Sequence, residues 1–222
     1  MTKFGEGLEL LRTKLLEMSS LVEMNILRSI RAVVDRDRGA AAEVIENEGR
    51  INAIELEIDA LAIELLALHQ PMATSLRFIV AALKINTDLE RMGDLALNIA
   101  KSALALIDTP AAPAVVDIPY IAGLVQTMVR KSIDSFVAQD PDLAREVVAS
   151  DDAVDELRTA CYKTLTACMA DDWANIKPAL SLLTVVRTLE RLADHATNIA
   201  EDVVFYVQGI DVRHAGSASR QT

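Results

Sequence analysis

An all-α fold of two tandem, pseudo-symmetric three-helix bundles, six long helices in all, is predicted by three observations. Glycine and proline are sparse, 8 and 6 in 222 residues, and aromatics are 4%, while Ala, Leu, Ile, Val, Glu and Arg dominate, a balance that favours helices over sheets. Apolar residues recur at i, i+3, i+4 and i+7 through long windows broken by clusters of turn residues. The chain also repeats itself: "LERMGDLALNIA" at 89–100 returns as "LERLADHATNIA" at 189–200, with eight of twelve letters unchanged. The repeat extends outward, because "RSIRAVVDRD" (28–37) aligns with "KSIDSFVAQD" (131–140) and "VIENEGRI" (44–51) with "VVASDDAV" (147–154), both at an offset of 103. The offset of 100 at the opening phrase implies a connection three residues shorter in the second half.

The first unit is assigned to residues 1–110, with helices over about 5–36, 39–68 and 74–107 separated by "DRDRG" and "HQPMAT". The second is assigned to 111–209, with helices over about 119–138, 141–170 and 175–208 separated by "QDPD" and "ADDWANIKP". Pro141 follows Asp140 as a first-turn proline follows an N-cap acid, and Pro178 falls in the first turn of the last helix, where a missing N–H costs nothing. The stretch "DTPAAPAVVDIP" (108–119) has three prolines and no helical pattern, so it links the units. Residues 210–222 are expected to form a disordered tail. Helices of about 30 residues joined by short turns must run antiparallel, and three of them form the smallest bundle that shields a continuous apolar stripe.

The 33 acids against 22 bases, a net charge of −11, leave no basic surface for nucleic acid and oppose broad adsorption on anionic lipid, while suiting cations. The start "MTKFGEGLELLR" lacks the apolar core of a signal peptide, and the longest uncharged run, 118–129, is too short to span a bilayer. A cytoplasmic protein without direct membrane insertion is expected. Cys161 and Cys168, seven apart on one helix, are about 10 Å apart along its axis, too far to bridge, and read as reduced core residues.

The repeated phrase carries the candidate chemistry. Glu90 and Asp94 lie one turn apart on one helical face, as do Glu190 and Asp194, and like charges at that spacing repel. Two compensations are open. One is a ladder of ion pairs, Arg91 to Asp94, Arg191 to Asp194 and Arg187 to Glu190, on a solvated face. The other is a cation held between helices, because the middle helices carry a second pair at the same spacing, Glu48 with Asn52 and Asp151 with Asp155. Oxygen ligands of this kind suit magnesium, calcium, manganese or iron, and zinc less well. His195 points about 100° around the helix from Asp94's counterpart Asp194 and reads as interhelical or exposed, and His69 reads as structural. No Glu-x-x-His pair, phosphate-cradling glycine loop, CxxC pair or nucleophile elbow occurs, so an enzyme is not expected.

Residues 67–100, "ALHQPMATSLRFIVAALKINTDLERMGDLALNIA", and 182–209, "LLTVVRTLERLADHATNIAEDVVFYVQG", resemble the PhoU family of bacterial phosphate-signalling regulators, and the likeness runs through the duplicated plan over nearly the whole chain. The resemblance implies two pseudo-symmetric three-helix bundles and metal ions, of iron, zinc, manganese or magnesium, bound by E/D-x-x-x-D motifs. By motif the ligands are Glu48, Asn52, Glu90 and Asp94 in the first unit and Asp151, Asp155, Glu190 and Asp194 in the second, with Asn52 a neutral departure that weakens the first site. It further implies a non-enzymatic adaptor between a phosphate ABC transporter, through its ATPase subunit, and a sensor histidine kinase, restraining phosphate uptake and the starvation response. A homodimer at the inner membrane face, reached through partners, is expected. A metal store or metal-dependent enzyme is the alternative.

Overall fold

The structure, a computed structural model, describes residues 2–109 and 116–212. These form six α-helices: α1 (Lys3–Val34), α2 (Arg38–His69), α3 (Ala73–Ile107), α4 (Ile118–Ala138), α5 (Pro141–Asp171) and α6 (Ile176–Gln208), with one 3-10 turn, Trp173–Asn175, ahead of α6. Each lies within a turn of its expected bounds, and the 3-10 turn is the one addition. The helix starts follow capping chemistry: Thr2, Asp37, Asp117 and Asp140 each accept a backbone N–H of the first turn of the helix that follows. Pro141 opens α5 as expected. The turns ending α1 and α4 use left-handed residues that are not glycine, Arg36 (φ 54°) and Gln139 (φ 53°), at positions equivalent by the offset of 103.

Within the first unit α1, α2 and α3 pack pairwise, and within the second α4, α5 and α6 do so. The units join through α3 on α6 and, more lightly, α1 on α4, so α2 and α5 lie outermost and touch nothing in the other unit. Helices α3 and α6 run antiparallel, since Arg77 Nε donates to the Tyr206 carbonyl (3.1 Å), Lys84 pairs with Asp202 (2.8 Å) and His195 with Asp88 (2.7 Å). Although aromatics are scarce, Phe78, Phe136 and Tyr206 meet with ring centroids 5.4–6.4 Å apart and tie α3, α4 and α6 together at one end. Buried Ser29 and Ser132, equivalent in the duplication, each return the hydroxyl to a carbonyl on the same helix, so neither leaves an unpaired donor in the core.

A cavity of about 480 Å³ opens between α1 and α4, and its lining reads as offset pairs, among them Ser20 with Gly123, Glu23 with Gln126 and Leu27 with Arg130. It therefore straddles the pseudo-two-fold axis. Cys161 and Cys168 are buried and unbridged, as expected. Val212 rests half-buried on the core, while the tail expected to be disordered falls outside the described residues from 213 on, as does the linker over 110–115. Among the described residues no helix is long and apolar enough to cross a membrane.

Candidate metal centres

The first cluster forms where α2 faces α3. Gly93 of α3 lies directly under Ile51 of α2, so close that a Cβ there would stand 2.9 Å from Ile51 Cδ1 and 3.3 Å from its Cγ2. This approach of the backbones sets the spacing between the residues on either side, Asn52 and Asp94. Glu48, Asn52 and Asp94 line one small cavity of about 10 Å³, with Asn25 and Leu97 at its walls, roughly the space one water occupies. Glu90 lies a turn further on. Burial first, then the Asp94 charge, pushes its carboxyl up; Arg91 opposes this, and Glu55 adds to it. Arg91 stands 3.4 Å from Glu90 and 3.7 Å from Asp94, so the expected i+3 pair to Asp94 is present. Just beyond, the buried Asn86 amide donates to the Glu55 carbonyl (3.1 Å) and to Asp59 (2.9 Å), pinning α3 to α2, while its Oδ1 has no partner among the described residues.

The second cluster forms where α5 faces α6. Burial pushes the Asp151 carboxyl up, and the Asp194 and Asp155 charges add to it. Burial likewise pushes Asp194 up, with Glu190 and Asp155 adding and His195 and Arg191 opposing. Thr197 leans its hydroxyl toward Asp151 at 3.4 Å. The guanidinium at Glu190 comes from Arg158 on α5 rather than from Arg187, at 3.5 Å, and Arg158 also stands 3.6 Å from Asp155. The structure thus brings all four second-unit residues to one helix pair, and in the first unit it brings Glu48, Asn52 and Asp94 to one cavity with Glu90 adjoining.

Sequence reasoning missed Glu55 and Arg158. The offset that pairs Asn52 with Asp155 also pairs Glu55 with Arg158, a reversal of charge at the fifth position of each cluster. With Glu55 counted, the first cluster has four acids, an amide and the Arg91 guanidinium, and the second has four acids and the Arg158 guanidinium. The first unit is therefore not the poorer in negative charge. His195 is interhelical, as expected: its Nδ1 bonds Asp88 on α3, placing the ring between the two clusters. His69 packs its ring against Phe4, 5.0 Å between centroids.

Chemically, these are hard oxygen donors on facing helices, the donor class for magnesium, manganese or iron. Among the described residues no three His, Cys, Asp or Glu side chains close on one point as a ready-made shell; shared coordination requires the carboxylates to rotate inward. Metal-free, their repulsion has a pH signature. An acid raised in the folded chain holds its proton more tightly there than when unfolded, so the contribution of Asp151 and Asp194 to stability falls as pH rises from the ordinary aspartate range through their raised values. Asp151→Asn, in chelator, is expected to flatten that decline and raise the neutral-pH melting temperature by about 1–2 °C, read by calorimetry from about pH 4 to about pH 7.

The family model for the PhoU domain matches twice, over residues 15–103 and 118–203, once on each three-helix unit. The chain belongs to the PhoU family. It is 40% identical over 216 residues to the phosphate-specific transport system accessory protein PhoU homolog of Pseudomonas aeruginosa, covering 96% of this chain and 89% of that protein. Its fold matches the crystal structure of PhoU from Pseudomonas aeruginosa with a TM-score of 0.92 at 37% identity, covering 94% of this chain and all of that one. The phosphate transport system regulatory protein PhoU from Streptococcus pneumoniae matches with a TM-score of 0.85 at 27% identity, over 95% and 99% of the two chains. Both repeats and the helix pairs bearing the acid clusters fall inside the PhoU match.

Proposed function

We propose that this protein is a negative regulator of phosphate uptake and of the phosphate-starvation two-component response, an adaptor without enzymatic turnover between a phosphate ABC transporter, through its ATPase subunit, and a sensor histidine kinase. The supporting observation is that PhoU matches span both units at nearly full length with proteins named as accessory to, or regulators of, phosphate transport. The molecule also suits an adaptor: long packed helices present faces, and in the cavity between α1 and α4 the Ser20 hydroxyl donates to the Leu16 carbonyl rather than to a base. Met24 and Leu27, exposed beside that cavity, support a homodimer. The regulatory reading is tested by deleting the gene and assaying alkaline phosphatase in phosphate-rich medium. Output should rise and return to its repressed level on complementation, and unchanged output sinks the proposal.

The acid clusters are proposed to hold hard cations, iron, manganese or magnesium before zinc. Glu48, Asn52, Glu90 and Asp94 would serve the first unit, and Asp151, Asp155, Glu190 and Asp194 the second. A bound ion would supply positive charge that neutralises the facing carboxylates. The chain's own contribution is the closeness of α2 to α3 and of α5 to α6, which holds the acids within reach of one another before any ion arrives.

A further inference from the structure

The outer face of α2 carries an apolar seam. Ile45, Leu56, Ala60, Ile63 and Ala67 lie within about 40° of one line along the helix, and all are exposed, Leu56 by 67% and Ile63 by 62%. Because α2 packs only on α1 and α3, no other helix among the described residues covers this side. Asn52 interrupts the line after Ile45, so the continuous seam runs from Leu56 to Ala67, about 17 Å, and its spacing of four, three and four residues is that of a surface that receives another helix. The duplication shows that the seam is not a by-product of the bundle. At the offset of 103, Leu56, Ala60, Ile63 and Ala67 become Thr159, Lys163, Thr166 and Ala170 on α5, an outer face that is largely polar.

Acids edge the seam on both sides. Glu46, Glu57 and Glu64 run along one rim, Glu57 pairing with Lys14 of α1 at 2.7 Å, and Glu48, Glu55 and Asp59 along the other. Arg50 is the one basic residue on α2 between Arg38 and His69, and it is turned to Glu17 of α1 at 3.1 Å. A second copy of this face would set acidic rim against acidic rim, on a chain already at −11. We propose that α2 is a docking face for a cationic amphipathic helix of a partner protein, its apolar residues on the seam and its lysines or arginines against the two rims. The proposal rests on the exposed seam of α2 and does not require the regulatory reading; Glu48 and Glu55 are shared with the first acid cluster, so the titration is run in chelator.

The full chain is titrated against a fluorescein-labelled helical peptide of leucine and lysine, with leucines at alternating spacings of three and four, and against the same peptide with glutamate for lysine. Anisotropy should show binding of the lysine peptide alone. Leu56→Glu with Ile63→Glu should weaken it at least tenfold while leaving helicity by circular dichroism unchanged, and Leu56→Ala with Ile63→Ala should weaken it in the same sense. Glu46→Gln with Glu64→Gln should weaken it several-fold and reduce its salt dependence, and Thr159→Glu with Thr166→Glu on α5 should not weaken it. The glutamate pair on the seam adds negative charge, so general attraction to an acidic protein predicts tighter binding there. Undiminished binding by that variant, or no binding by the parent, overturns the proposal. So does a parent that sediments as a dimer dissociated by the seam variants, which would make α2 a contact between copies.

Discussion

Replacing Gly93 by valine is expected to destabilise the protein by about 3 kcal/mol or more, and by alanine by about 1 kcal/mol, in urea denaturation with an unchanged slope. Ile51 decides both values. Its Cδ1, 2.9 Å from where a Cβ would stand, can swing aside about χ2, but its Cγ2 at 3.3 Å is held by the stiff χ1 of a β-branched residue in a helix. Alanine also recovers up to about 1 kcal/mol of helix propensity, whereas valine brings two further methyls and little propensity. The second half already holds the remedy. Its equivalents of Ile51 and Gly93 are Val154 and Ala193, both buried, so one carbon has moved across the helix pair while total volume is kept. Ile51→Val alone should cost about 0.5–1.5 kcal/mol, yet combined with Gly93→Ala it should cost less than the two single changes together, a coupling of about 0.5 kcal/mol, because valine removes the Cδ1 contact and keeps the one at Cγ2. Simple additivity would refute the close-packing account. Because this contact sets the gap between Asn52 and Asp94, the alanine variant should also weaken any cation site there.

Excess manganese, at about a thousand times its dissociation constant, is expected to stabilise the metal-free protein by roughly 4 kcal/mol per site, about 8–16 °C in melting temperature. Glu190→Ala with Asp194→Ala should remove the second unit's share, and Glu90→Ala with Asp94→Ala the first's, with metal content after dialysis falling in step. The same shift in the parent and both double variants would mean that the acids only solvate a face. Each cluster carries one guanidinium, Arg91 on α3 in the first unit and Arg158 on α5 in the second. That of Arg158 stands within 3.6 Å of both Asp155 and Glu190, where an incoming cation must displace it, so Arg158→Gln should tighten manganese binding in the second unit by about tenfold.

Much of this was legible in the sequence because it is periodic. Six helices follow from apolar spacing and cap residues, and antiparallel packing follows from the short turns. The duplication follows from letters such as Leu89/Leu189 and Asn98/Asn198. The contacts that join elements without a period were not legible. Nothing along the chain says that α3 lies against α6 rather than against α4, and the His195 to Asp88 bond that marks this is 107 residues long in sequence. Arg158 went unread for a related reason: its partner Glu190 belongs to the next helix, so spacing within one helix pointed to Arg187 instead. The Trp173 turn is a local detail of the "ADDWANIKP" break that tertiary packing decides.

The axis between α3 and α6 is that of a dimer whose two subunits have become one chain. A true homodimer of a three-helix unit must present every surface twice and bind whatever it binds at both ends alike. Fusion removes that obligation. One half has placed Glu55 where the other has Arg158, and an apolar seam on α2 where the other has Thr159 and Lys163 on α5. A tethered pair of this kind can tell its left from its right.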